Sequence, residues 1–148
     1  MSLGIFLGSP FSPDAFGEVD FEEIGQLEAD QIISEAVLPY IRALQAGDVL
    51  TLEGLVDGKL AITLEQLLKQ NTEYPAFLRQ RYGGTTVRDT IQIFQRPAGT
   101  SSALDQEGGQ RIAGVSLETP AGVQKDFQLS LAKDAQGAWK IIDQKYHR

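Results

Sequence analysis

The sequence holds no cysteine, one histidine and one tryptophan. The missing cysteines exclude a disulfide framework, thiol catalysis and thiolate metal sites, and they leave the compartment undecided, since periplasm and cytosol both suit a cysteine-free domain. His147, next to last in the chain, can complete neither a catalytic triad nor a multi-histidine metal site. A calcium loop of alternating aspartates is also lacking. No cofactor and no metal are therefore expected. No apolar run approaches the ~20 residues of a spanning helix, so the sequence reads as a soluble chain without a membrane span. Gly83-Gly84 and Gly108-Gly109 are stops and turns; a phosphate-cradling glycine motif is missing.

Basic charge is absent from the first part of the chain. Residues 1–41 contain Asp14, Glu18, Asp20, Glu22, Glu23, Glu28, Asp30 and Glu35 but no Lys or Arg, and this segment accounts for the net charge of −7. A phosphate backbone would be repelled there and would find no Lys/Arg cluster elsewhere, which argues against nucleic acid. The acidic leader reads first as a solvated segment, second as a docking arm for a basic partner. Its opening, Met1-Ser2-Leu3-Gly4, reads equally as a native start or as a scar where an export signal was replaced, so exported and cytoplasmic locations are weighted alike.

What is present is a chain of 148 residues, enough to bury one sizeable core. Residues 1–28 read as an acidic, irregular arm and 29–148 as a single domain. A helix can start at Asp20, whose spacing to Glu23 makes a capping box, or at Asp30. Ile33, Val37, Tyr40, Ile41 and Leu44 then recur at helical spacing and form one apolar face. Pro39 inside that pattern predicts a kink or a fresh start, and Gly47 a C-cap. Asp48 caps a short helix carrying Leu52, Leu55 and Val56, closed by Asp57-Gly58. Thr63 and Gln66, flanked by Ile62 and Leu67, form a capping box and staple that place a third helix start at Thr63. Pro75 opens a fourth helix, stopped by Gly83-Gly84.

Beyond Thr85 the period changes to two. Val87, Ile91 and Ile93 share one face of a strand ending near Arg96, and Pro97 to Gln110 is a long Gly/Ser-rich connection. Val115 and Leu117 mark a second strand up to Thr119, followed by the turn Pro120-Ala121-Gly122. Val123, Phe127, Leu129 and Leu131 alternate with Gln124, Asp126, Gln128 and Ser130 in a half-buried third strand. After the turn 134–137, Trp139, Ile141 and Ile142 lie in a fourth, running to about Tyr146. Helices first and short-turned strands afterwards give an α+β class, with helices packed on one face of a curved four-stranded antiparallel sheet.

This order of elements, with Tyr40-Ile41-Arg42-Ala43-Leu44-Gln45-Ala46-Gly47-Asp48, resembles the nuclear transport factor 2-like superfamily, whose members share the cystatin-like cone fold. The resemblance spans roughly residues 30–146 and points to a bacterial member. It implies a hydrophobic pocket between sheet and helices, used in different members for isomerisation, dehydration, cyclisation or ligand binding, and a homodimer through the open sheet face. Steroid isomerases of the superfamily carry a tyrosine donor eight residues before the Asp of the Gly-Asp, the position of Tyr40 here. Their base falls sixteen residues after that Asp, on Leu64, and no acid lies between Asp57 and Glu65. A donor for a developing enolate is useful only beside a base. Asp89, on the strand face of Val87 and Ile91, is the remaining candidate; as a residue near a strand start it equally faces solvent or pairs with Arg88 or Arg111.

Tyr40, Tyr74, Phe77, Tyr82, Phe94, Phe127 and Trp139 are the aromatic candidates for lining the pocket, each also readable as ordinary core. With a donor in place and no evident base, the expectation is a non-catalytic domain that binds a small apolar ligand or a protein. The alternative is an isomerase or lyase using Tyr40 and Asp89.

Overall fold

The structure, a computed structural model, describes residues 22–23, 25–95 and 110–146. The fold is α+β, with helices followed by a curved, unclosed antiparallel sheet, as the sequence predicts. Edge strand β1 (Glu22–Glu23) precedes α1 (Gln26–Ile32), a π-helical turn (Ile33–Val37), α2 (Leu38–Ala46), α3 (Val49–Leu55), α4 (Gly58–Gln70) and α5 (Tyr74–Tyr82). The strands β2 (Thr86–Val87), β3 (Gln92–Gln95), β4 (Arg111–Glu118), β5 (Gln124–Lys133) and β6 (Trp139–Tyr146) complete the sheet. Its order is β1-β3-β4-β5-β6, with β2 pairing the far end of β4. Residues 97–109 of the connection expected at 97–110, and His147, lie outside the described residues.

Pro39 neither stops the chain's helix nor starts a new one. The backbone stays right-handed helical through Ile33, Val37 and Leu38, and the bonding widens to π spacing just before the proline. An i→i+5 step is one way to satisfy carbonyls that a proline leaves without their α-helical donor. The wider turn adds a residue, so the buried face upstream moves by one: Ile32 is fully buried and Ile33 only half. The first helical residue is Gln26, between the two starts the sequence offers, and residues 22–23 and 26–28 belong to the folded body rather than to an irregular arm. Glu28 accepts from Arg111 Nε at 2.7 Å, tying α1 to the sheet.

Gly47 ends α2 with φ +66°, and a Cβ there would meet the Pro75 carbonyl oxygen at 2.4 Å. Glycine thus serves both the left-handed cap and the close approach of α5. Asp48 caps α3, its side chain accepting from the Thr51 amide and hydroxyl. Two expectations fail here. Asp57 does not close α3 but opens α4, accepting from the Gly58 amide at 2.8 Å, while its carbonyl takes the Ala61 amide. Thr63 is consequently interior to α4 and its capping box goes unused: Leu60, Leu64 and Leu67 form a stripe at i, i+4 and i+7 that requires the earlier start. Between the helices, Val56 bridges in parallel to Ile141 and covers the edge of β6.

Two irregularities decide which strand residues face inward. Val87 pairs with Leu117 and Gln92 with Gly114, so four residues, 88–91, stand opposite only Val115 and Ser116. The first strand is therefore broken, and the excess is extruded as a loop carrying exposed Asp89. In β6, Ile141 pairs with Leu131 but Asp143 with Ser130, leaving Ile142 as a one-residue bulge. Past it, parity reverses: Trp139 and Ile141 face inward, and so do Gln144, opposite Leu129, and Tyr146, opposite Phe127. One row across the inner face reads Ile93, Ala113, Leu129, Gln144.

Candidate functional site

The apolar stripes of four helices and the last residues of β6 do not meet completely. They line a half-open cavity of about 310 Å³, at the small end of ligand sites. Helix α2 contributes Tyr40 and Leu44, the end of α3 Leu52 and Val56, and α4 the stripe Leu60, Thr63, Leu64 and Leu67. Tyr74, Phe77, Leu78, Arg81 and Tyr82 of α5 follow at i, i+3, i+4, i+7 and i+8, one helical face. β6 supplies Gln144 and Tyr146.

Five polar residues of this cavity, Tyr40, Arg81, Tyr82, Gln144 and Tyr146, form one wall, while Thr63 belongs to α4. Tyr40 Oη donates to Gln144 Oε1 at 2.5 Å. Gln144 Nε2 donates to Tyr146 Oη at 3.1 Å and Tyr82 Oη at 3.3 Å, and the two hydroxyls hydrogen-bond each other. The Arg81 guanidinium lies 5.1 Å from the Tyr146 ring centre and 5.8 Å from that of Tyr82, within cation–π range. Tyr74 stacks on Phe77, ring centres 5.8 Å apart.

Burial sets the electrostatics. Desolvation, and after it the neighbouring Tyr82, push the Tyr40 hydroxyl far above the usual phenol range. Tyr82 is raised as well, by burial first and by its bond to Tyr146 second, and Tyr74 by burial. Hydrogen bonding to Tyr146 and then Tyr82 raises Arg81 further above its ordinary value. At neutral pH Tyr40, Tyr74 and Tyr82 are thus neutral phenols, beside a carboxamide and a cation.

Of the seven aromatic candidates, Tyr40, Tyr74, Phe77 and Tyr82 line the cavity. Phe127 lies on the inner face but behind Tyr146, ring centres 5.8 Å apart, and is not itself lining. Trp139 sits away from it, with Arg111 and Lys133 over its ring. Phe94 is on the opposite face of the sheet: it pairs with Ile112, which pairs with Ser130 of the polar row, and neither Phe94 nor Ile112 joins the main core. Asp89 is exposed on its extruded loop and does not line the cavity with Tyr40, and among the described residues no carboxylate lines it. The donor–base pair of the isomerase alternative is not assembled.

Arg81, Gln144 and Tyr146 are the residues that sequence reasoning missed. Arg81 was legible as the one charge on the α5 stripe. Gln144 and Tyr146 were not, because strict alternation from Trp139 and Ile141 points Asp143 and Lys145 inward instead. Those two lie in a second depression of about 440 Å³, half open like the first, where Asp57, Lys59 and Lys133 make the charge mixed. Among the described residues no cluster of three or more His, Asp or Glu is placed to hold a metal ion, and no helix is long and apolar enough to cross a membrane. Comparison of the chain with family models, with curated proteins and with solved structures gives no match in any of the three.

Proposed function

We propose that this chain is a small-ligand-binding domain of the nuclear transport factor 2-like type, working by enclosure rather than by catalysis. The observation that carries this reading is the cavity itself, walled by leucines from four helices and by one group of hydrogen-bonded polar side chains. Such a lining desolvates an apolar body and orients it through a few fixed polar groups. The same geometry disfavours the isomerase alternative, because the Tyr40 proton is already given to Gln144 and is not free for an oxyanion.

The test is titration of the protein with Nile red, an uncharged fluorophore that brightens in apolar surroundings. Saturable binding is expected, and Leu67→Trp, which fills the cavity from a half-buried position, is expected to abolish it while preserving a cooperative melt. Binding unchanged in the filled variant would place the dye elsewhere and reject the reading.

A further inference from the structure

We propose that the ligand is a small amphipathic anion, an acyl or aryl carboxylate whose head is received by Arg81 and the Tyr82–Tyr146 hydroxyl pair. This rests on the ligand-binding reading above and adds the chemistry of the head group.

The case follows from counting protons and lone pairs on the polar wall. Gln144 is satisfied: its carbonyl accepts from Tyr40, and its amide donates to both Tyr82 and Tyr146. The Tyr40 proton is used by that same carbonyl. Tyr82 and Tyr146 bring one proton each, and a single proton fills the bond between their oxygens. The other phenol proton has no acceptor among the described residues. Both oxygens meanwhile already face the Gln144 amide, so what the pair has left to offer is a donor.

Arg81 points to the same sign of ligand. It stands on the cavity-lining face of α5, and among the described residues no carboxylate pairs with it; the ion pairs formed are Lys69–Glu65, Arg88–Glu118, Arg111–Glu28 and Lys140–Asp134. A guanidinium fixed over two phenol rings keeps several N–H groups in fork geometry, suited to two parallel bonds to a carboxylate. Donors and a cation without an acceptor select against amines and favour an anion. The remaining wall, Leu44, Leu52, Leu60, Leu64 and Leu67, takes an apolar tail. A half-open volume of about 310 Å³ accommodates a tail the length of an octyl chain.

The test compares octanoate with 1-octanol, equal in chain and different in head, by displacement of Nile red from the full chain at neutral pH. Octanoate is expected to bind at least tenfold more tightly. Arg81→Gln, at a solvent-exposed position, is expected to erase that preference by weakening octanoate at least tenfold more than 1-octanol. Equal affinities in the unmodified protein, or a preference that survives Arg81→Gln, would overturn the head-group assignment. So would failure of both compounds to displace a dye that binds, an outcome that leaves the cavity reading standing; loss of dye binding itself rejects both.

Discussion

Tyr40 on α2 and Gln144 near the end of β6 stand 104 positions apart in the chain and are joined by a 2.5 Å hydrogen bond inside the protein. The bond fastens the helical layer to the sheet at the polar wall of the cavity. Gln144 ends a cross-strand row that is otherwise apolar, so its carboxamide has few alternatives to Tyr40, Tyr82 and Tyr146.

Removing the acceptor should therefore cost more than removing both partners. Gln144→Leu leaves the buried Tyr40 hydroxyl without an acceptor, a loss of about 1–3 kcal/mol. Tyr40→Phe in that background should recover part of the loss, giving a coupling of at least about 0.5 kcal/mol in a double-mutant cycle by urea denaturation. Strict additivity would mean that the two side chains do not interact in solution.

Gly47 is a second point of high sensitivity. Alanine there meets both a left-handed backbone, φ +66°, and the Pro75 carbonyl at 2.4 Å. The conformational term alone is about 1–2 kcal/mol, and separation of α2 from α5 adds to it. Gly47→Ala should lower thermal stability and weaken Nile red binding together, since α5 carries one side of the cavity. An unchanged melting temperature would contradict the close packing.

The tyrosines give a pH signature. Tyr40 and Tyr82 are both raised above the ordinary value of 10.0, so each holds its proton more tightly folded than unfolded. Stability from this source is complete below the unfolded value and declines as pH rises above it toward the folded values. Tyr40→Phe should accordingly leave the tyrosinate absorbance of the folded protein unchanged up to about pH 11, while the same substitution lowers it in urea. A smaller folded-state signal in the variant would show that Tyr40 ionises early and is less buried than the fold implies.

Much of the fold was legible because it is written locally. Gly47 and Asp48, Pro75, the turn at 120–122 and the alternation of Phe127, Leu129 and Leu131 each act through neighbours a few residues away. The misplaced start of α4 was a competition between two good caps, and Leu60, one turn ahead of Leu64, decided it in favour of Asp57. The π turn and the two extrusions were not legible, since each corrects a mismatch between counts on two separate segments. Asp89 left the site, and Gln144 and Tyr146 entered it, for that single reason. Phe94 was misassigned because hydrophobicity marks burial without saying on which side of the sheet it occurs.

The bulge at Ile142 places the character of the cavity under the control of strand register as well as of side-chain identity. Drawing Ile142 into the ladder opposite Ser130 would exchange Gln144 and Tyr146 for Asp143 and Lys145 on the inner face, with every residue of the chain retained. A neutral, donor-rich wall would become a charged one in a single step. The chemistry of the cavity wall thus depends on a one-residue register in β6, and deletion of Ile142, which removes the bulge and keeps Gln144 opposite Leu129, would preserve it.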